Sequence, residues 1–286
     1  MKRISRAASL LQNNPRLFLK YLCCAIRIYI PLFRVGKYKN INGVMFDIDP
    51  DFDPVIKSMF FGCYEMETTE VMKGALKKGD IFIDVGANIG YFSAIGASLV
   101  GKIGQVHSFE PVPQYFQRLG KMASMNSGYR IMTNQCALGE ESCKAKVDIT
   151  SRQNIGWNTM VPGLMNHALR KESIEVPVIR LDQYIEEKGL GEIALIKIDV
   201  EGFEFPVLKG LSNYLASADS LPVIICEIVP SAYSLLGCTL IQLSEYMKNY
   251  GYDAFSIVAL HTKVDITSLN ENTLVVFRKA QSLAVK

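Results

Sequence analysis

The sequence predicts an α/β protein built on a doubly wound, mainly parallel sheet. Three observations predict it. Short apolar runs alternate with helical patterns along most of the chain, the first of those runs ends in a glycine-rich turn, and no tract rich in Pro, Gly or Ser splits the 286 residues into two large halves. With 49% hydrophobic and 21% charged residues, the composition is that of a globular protein and excludes a disordered, collagen-like or acidic solvating chain.

The front end is basic. Residues 1–46 hold nine Lys or Arg and no acid, which leaves 22 basic against 28 acidic residues in the remainder. A mildly acidic body is a poor partner for nucleic acid, and none is expected. The run from Leu17 to Val35 is apolar but interrupted by Lys20, Arg27 and Arg34, too short of uncharged sequence to span a bilayer. The polar stretch after the initial Met-Lys-Arg is not that of a secretory signal. Positions 16, 20, 27 and 34 fall within roughly 40° of one another on a helix, a basic stripe on an apolar rod. Two readings stay open: the helix packs on the body and extends its basic heads into water, or it makes peripheral contact with a membrane. Pro31 should end or kink it. Residues 1–60 are thus read as a basic N-terminal extension, and 61–286 as the main domain.

Seven cysteines without a CxxC pair read as reduced thiols, consistent with a cytoplasmic setting. His107, His167 and His261 never fall in metal-ligand spacing, so neither zinc nor another histidine-held metal is expected.

Asn42-Gly43 is a turn signal before a short extended run. A helical pattern follows through Met66, Val71, Met72, Ala75 and Leu76 and stops at Gly79. Strands are predicted at 81–85, 105–109, 129–137, 193–200 and 223–229, with helices at 89–99, 112–125 and 240–249. Residues 140–180 read as irregular or antiparallel additions lying over the site. The runs YDAFSIVAL and TLVVFRK are predicted to pair as an antiparallel edge hairpin. Such sheets bind ligands at the carboxyl ends of their strands.

There the chemistry gathers. Asp84-Val85-Gly86-Ala87-Asn88-Ile89-Gly90 joins the first strand to its helix. Its glycines permit a tight turn and close backbone approach, and Asn88 tolerates a left-handed conformation. A dinucleotide loop would read GxGxxG; here an acid precedes GxNxG, which suits a cationic ligand better than a pyrophosphate. Glu110, at the end of the second strand, can accept the two hydroxyls of a ribose. Lys197, Asp199 and Glu201 alternate, so they share a face as long as their strand continues. They either form an ion pair that organises the loop or act on a substrate. Glu204 suits the start of the next helix. Glu227, at the next strand end, can assist acid–base work or hold a substrate hydroxyl. His261 either reaches the same rim or, as a lone surface histidine more often does, plays no part there, and Trp157 either stacks on a sugar ring or, the favoured reading, covers the core.

These residues resemble a known family. DVGANIG, SFEP, residues 134–139, RLDQYI and above all IKIDVEGFEFPVLKG followed by IICEI are similar to the FkbM family of S-adenosylmethionine-dependent methyltransferases, over roughly residues 60–260. The resemblance implies a class I methyltransferase sheet of seven strands, order 3-2-1-4-5-7-6 with the last antiparallel, and O-methylation of a hydroxyl on a sugar, glycan or related natural product. It implies that Asp84, Gly86, Ala87, Asn88 and Gly90 line the donor, that Glu110 holds its ribose and that Ala137 flanks its adenine. Asp199 would close the pocket near the sulfonium, with Glu201, Lys197 and Glu227 around the acceptor as catalytic candidates. A divalent cation on Asp199, Glu201 and Glu227 is conceivable, but the spacing is not diagnostic and no metal is assigned. The rival readings are a nicotinamide oxidoreductase and a catalytically silent, membrane-associated binding protein.

Overall fold

The computed structural model describes residues 11, 14–29, 37–47, 54–150, 157–166 and 168–279. Pro31, Arg34, His167 and the side chain of Arg27 lie outside them. A helix, α1 (Pro15–Tyr29), precedes a hairpin of β1 (Tyr38–Ile41) and β2 (Val44–Asp47), then helices α2 (Pro54–Phe61) and α3 (Met66–Ala75). Asn42 and Gly43 both adopt positive φ in the two-residue hairpin turn, as the sequence predicts. The Asn126 side chain both donates to the Met45 carbonyl and accepts from its N–H, at 2.7 Å each. It acts as a one-residue strand partner that docks the hairpin on the body.

The body alternates as expected: β3 (Ile81–Val85), α4 (Tyr91–Val100), β4 (Gln105–Phe109), α5 (Pro113–Met125) and β5 (Arg130–Asn134). A three-stranded addition follows, with β6 (Ala137–Leu138), β7 (Cys143–Thr150) and β8 (Arg170–Ile179), and then α6 (Leu181–Glu187). Next come β9 (Ile193–Ile198), α7 (Glu204–Lys209), α8 (Ser212–Ser217), β10 (Val223–Ile228), α9 (Pro230–Leu235), α10 (Leu240–Asn249), β11 (Asp253–Ser256) and β12 (Thr273–Arg278). The main sheet has seven strands in the order β11-β12-β10-β9-β3-β4-β5. β12 runs antiparallel to both β10 and β11, and the other pairings are parallel. Renumbered within the sheet, this is the 3-2-1-4-5-7-6 order, with the edge hairpin in place.

Strand alternation divides the core between the two faces of this sheet. Ile83, Val85, Ile196 and Ile198 pack under α6, α7, α8 and α10, while Phe82 and Leu195 face α3, α4 and α5. Asp84 and Lys197 are register partners on adjacent strands, so the period of two puts both charges on the face of Phe82. Burying a pair of ionisable groups under the carboxyl edge is costly unless they are paired.

Three expectations are corrected. The strand predicted over 193–200 stops at Ile198 and the one over 129–137 stops at Asn134, because each chain turns away once it passes the sheet edge. Cys24 and Cys63 form a disulfide, with Cα atoms 5.8 Å apart. Residues 39 apart in sequence meet because α1 lies along α2 and α3. Spacing alone cannot show that docking, and the thiol reading loses its support for a reducing compartment at this pair. His107 is buried and bonds Tyr184 Oη at 2.8 Å, a core histidine whose pKa burial lowers to about 4.

Candidate active site

At the carboxyl edge lies a cavity of about 360 Å³. The turn after β3 forms its floor. Gly86 and Ala87 both donate to the Phe109 carbonyl, at 3.0 and 2.9 Å, which ties the turn to the end of β4. Gly86 sits at φ +78, and a Cβ there would lie 1.8 Å from the Asp199 carbonyl oxygen. Only glycine lets these two strand ends approach so closely. Asn88 is left-handed at φ 52, as its type allows.

Glu110 fixes the other side of the turn. Its two oxygens accept from the Asn88 and Val112 N–H groups at 2.9 and 2.8 Å. Each oxygen keeps a second lone pair for a ligand hydroxyl. Burial pushes its carboxyl up to about 7 despite those bonds.

The acid-rich end holds Lys197 at its centre. Its ammonium, 1% exposed, donates to Asp199 Oδ2 at 2.6 Å and lies 4.7 Å above the Phe92 ring. Burial alone would lower its pKa, but Asp199, Glu65 and Asp84 together carry it upward, so it stays charged. Past the strand end, Glu201 turns into a left-handed conformation at φ 51 and its carbonyl accepts from Thr159 Oγ1 at 2.6 Å. The alternation that would align it with Asp199 therefore ends. The turn nevertheless returns the carboxylate to the cluster, because oxygens of Asp199, Glu201 and Glu227 lie within 4.8 Å of one another. Burial, and after it the charge of Asp199, pushes the carboxyls of Glu201 and Glu227 well above the usual range.

Of the residues singled out in the sequence, Gly86, Ala87, Asn88, Glu110, Ala137, Lys197, Asp199, Glu201 and Glu227 line this one cavity. Asp84 and Gly90 do not. Asp84 lies behind the wall, where Ser93 donates to its Oδ2 at 2.6 Å and its Oδ1 has no partner among the described residues. Gly90 caps α4 at φ 90. Glu204 accepts from the Gly202 N–H at 2.7 Å, a helix-start role as expected, and His261 is exposed outside the cavity. Trp157, expected to cover the core, is 58% exposed and forms part of the cavity wall.

Sequence reasoning missed Tyr64 and Glu65, which line the same cavity. Glu65 precedes α3 in a left-handed conformation at φ 39 and accepts from Thr68 Oγ1 at 3.0 Å. An acid before a helical pattern reads as a dipole partner, and nothing local signals that it turns towards Lys197.

The fold and the cavity define an α/β protein with a ligand crevice at the carboxyl edge of a seven-stranded sheet, of the class I methyltransferase type. Residues 84–254, more than half of the chain, match the methyltransferase FkbM domain, and the chain belongs to that family. It is 31% identical over 162 residues to the 31-O-demethyl-FK506 methyltransferase FkbM of Streptomyces tacrolimicus, covering 48% of this chain and 62% of that protein. It is 26% identical over 156 residues to the hexuronic acid methyltransferase AglP of Haloferax volcanii, covering 54% of this chain and 59% of that protein. The match thus spans about three-fifths of the length of these relatives. A solved FkbM methyltransferase from Methylobacillus flagellatus aligns with 95% of this chain and 60% of its own, at 17% identity and a TM-score of 0.45. Among the described residues no helix is long and apolar enough to cross a membrane.

Proposed function

We propose that the protein is an S-adenosylmethionine-dependent O-methyltransferase acting on a hydroxyl of a sugar, glycan or related natural product. One observation carries the donor assignment. Five carboxylates line the cavity (Glu65, Glu110, Asp199, Glu201 and Glu227) against a single cation, Lys197, among its described lining residues. As its acids ionise, such a site attracts a sulfonium bearing an ammonium group and opposes the pyrophosphate of a nicotinamide dinucleotide. The glycine turn and Glu110 suit a nucleoside with a ribose diol. The bound donor supplies an activated methyl group, and the chain's own task is to align an acceptor oxygen and take its proton.

Asp199 is held by Lys197, so its role is electrostatic, at the sulfonium end. Glu201 and Glu227, raised and adjacent, share protonation as a pair. Once it has given up its own proton, one member of that pair would serve as the base that takes the proton of the acceptor hydroxyl. The match to a hexuronic acid methyltransferase supports a sugar acceptor, and the exposed Trp157 offers a ring face for stacking on it. Calorimetry with S-adenosylmethionine, its demethylated product and NAD tests the donor. Heat with the first two and none with NAD is expected, and the reverse would overturn the reading. Labelled donor with saccharide fractions then tests the acceptor.

A further inference from the structure

Helix α1 carries two apolar faces. The inner one is used: Leu17 and Cys24 are buried, with Phe18 and Tyr21 partly so, against Met66, Cys63 and Val258. Leu19, Leu22 and Ile26 point the other way and are 59%, 50% and 49% exposed. Their spacing of three and four residues sets them in one line along the helix. Three of the ten large exposed apolar side chains among the described residues fall on this one helix. Scattered singly they would need no explanation, but lined up they mark a surface built to be covered. A helix apolar on both faces is not stable against water on one of them.

The charge beside this line identifies its cover. Arg16 and Lys20 are exposed on one flank. Lys20 shares Glu70 with Lys73, at 3.2 and 2.9 Å, so two ammonium groups compensate one carboxylate. Residues 1–46 contain no acid at all. We infer that the outer face of α1 docks on an anionic lipid bilayer, with Leu19, Leu22 and Ile26 entering the acyl boundary and Arg16 and Lys20 at the headgroups. Nucleic acid offers nothing to a line of Leu and Ile. A second copy of the chain, in a two-fold contact, would set this basic flank against its own. The inner face of α1 holds Cys63, which precedes Tyr64 and Glu65 of the cavity wall. Docking would thus bring the cavity close to molecules carried in the bilayer. The proposal does not depend on methyl transfer.

The test is sedimentation of the full chain with phosphatidylcholine vesicles, with and without phosphatidylglycerol. Partitioning should rise on the order of tenfold with the anionic lipid, since each basic residue near the surface contributes about fivefold. The double variant Leu19→Glu, Ile26→Glu should lose on the order of tenfold or more on the same vesicles, with its donor titration unchanged. Arg16→Gln with Lys20→Gln should lose only the preference for anionic lipid. Equal pelleting of parent and Leu19/Ile26 variant, no preference for the anionic vesicles, or a dimer that disappears in that variant while vesicles capture nothing would each overturn the inference.

Discussion

The side chains at the carboxyl edge divide the work by environment. Glu201 and Glu227 crowd Asp199, which already serves Lys197, so the raised pair is where a proton can be taken up. Replacing Glu227 or Glu201 with Gln should lower kcat by roughly 10²- to 10⁴-fold while the calorimetric donor affinity changes little. A comparable loss of donor affinity would move both residues from proton transfer to donor binding. Glu110 gives a pH dependence of a different origin. Burial raises its carboxyl to about 7, so below that pH it carries a proton and offers one fewer acceptor to a ribose diol. Donor affinity should therefore increase as pH rises through about 7, and Glu110→Gln should flatten that increase. A dependence that survives the substitution would assign the titration to another group.

The elements show what the sequence could and could not reveal. Buried parallel strands announce themselves as apolar runs, and the GxNxG turn, Glu110 and the Lys-x-Asp series sit at their ends, so sheet and floor were legible. Glu65 and the Cys24–Cys63 bond were not, because both depend on how α1, α2 and α3 lie against the body, a tertiary fact without a local pattern. Two measurements follow at this scale. Gly86→Ala would force a Cβ into the Asp199 carbonyl at φ +78 and should cost about 3 kcal/mol or more of stability. Chemical denaturation reads that loss, and a fully stable variant would mean that β3 and β9 end further apart. Under denaturing conditions without reductant, alkylation should spare two of the seven cysteines, and digestion should recover peptides containing Cys24 and Cys63 still joined. Seven modified thiols would contradict the bond.

For the molecule as a whole, the carboxylates buried around one lysine make the unliganded protein sensitive to pH in a definite direction. Glu65, Asp84, Glu110, Glu201, Glu204 and Glu227 are all raised, in each case chiefly by burial. A raised acid binds its proton more tightly in the folded than in the unfolded chain, so it contributes stability that is fully present below its ordinary pKa and is lost as pH rises through the folded value. For Glu110 that window runs from 4.5 to about 7, and for Glu204 from 4.5 to about 8. Glu110 alone is worth on the order of 3 kcal/mol across its window. The unliganded Tm should thus fall by several degrees between about pH 5.5 and pH 8.5. A cationic donor binds best when the surrounding carboxylates are ionised, and it stabilises by mass action. Its upward shift of Tm should be larger at the alkaline end, closing much of the gap between the two conditions. Thermal scans with and without S-adenosylmethionine at both ends measure this directly. A donor-induced shift that shrinks as pH rises would mean that the acidic crevice does not receive positive charge.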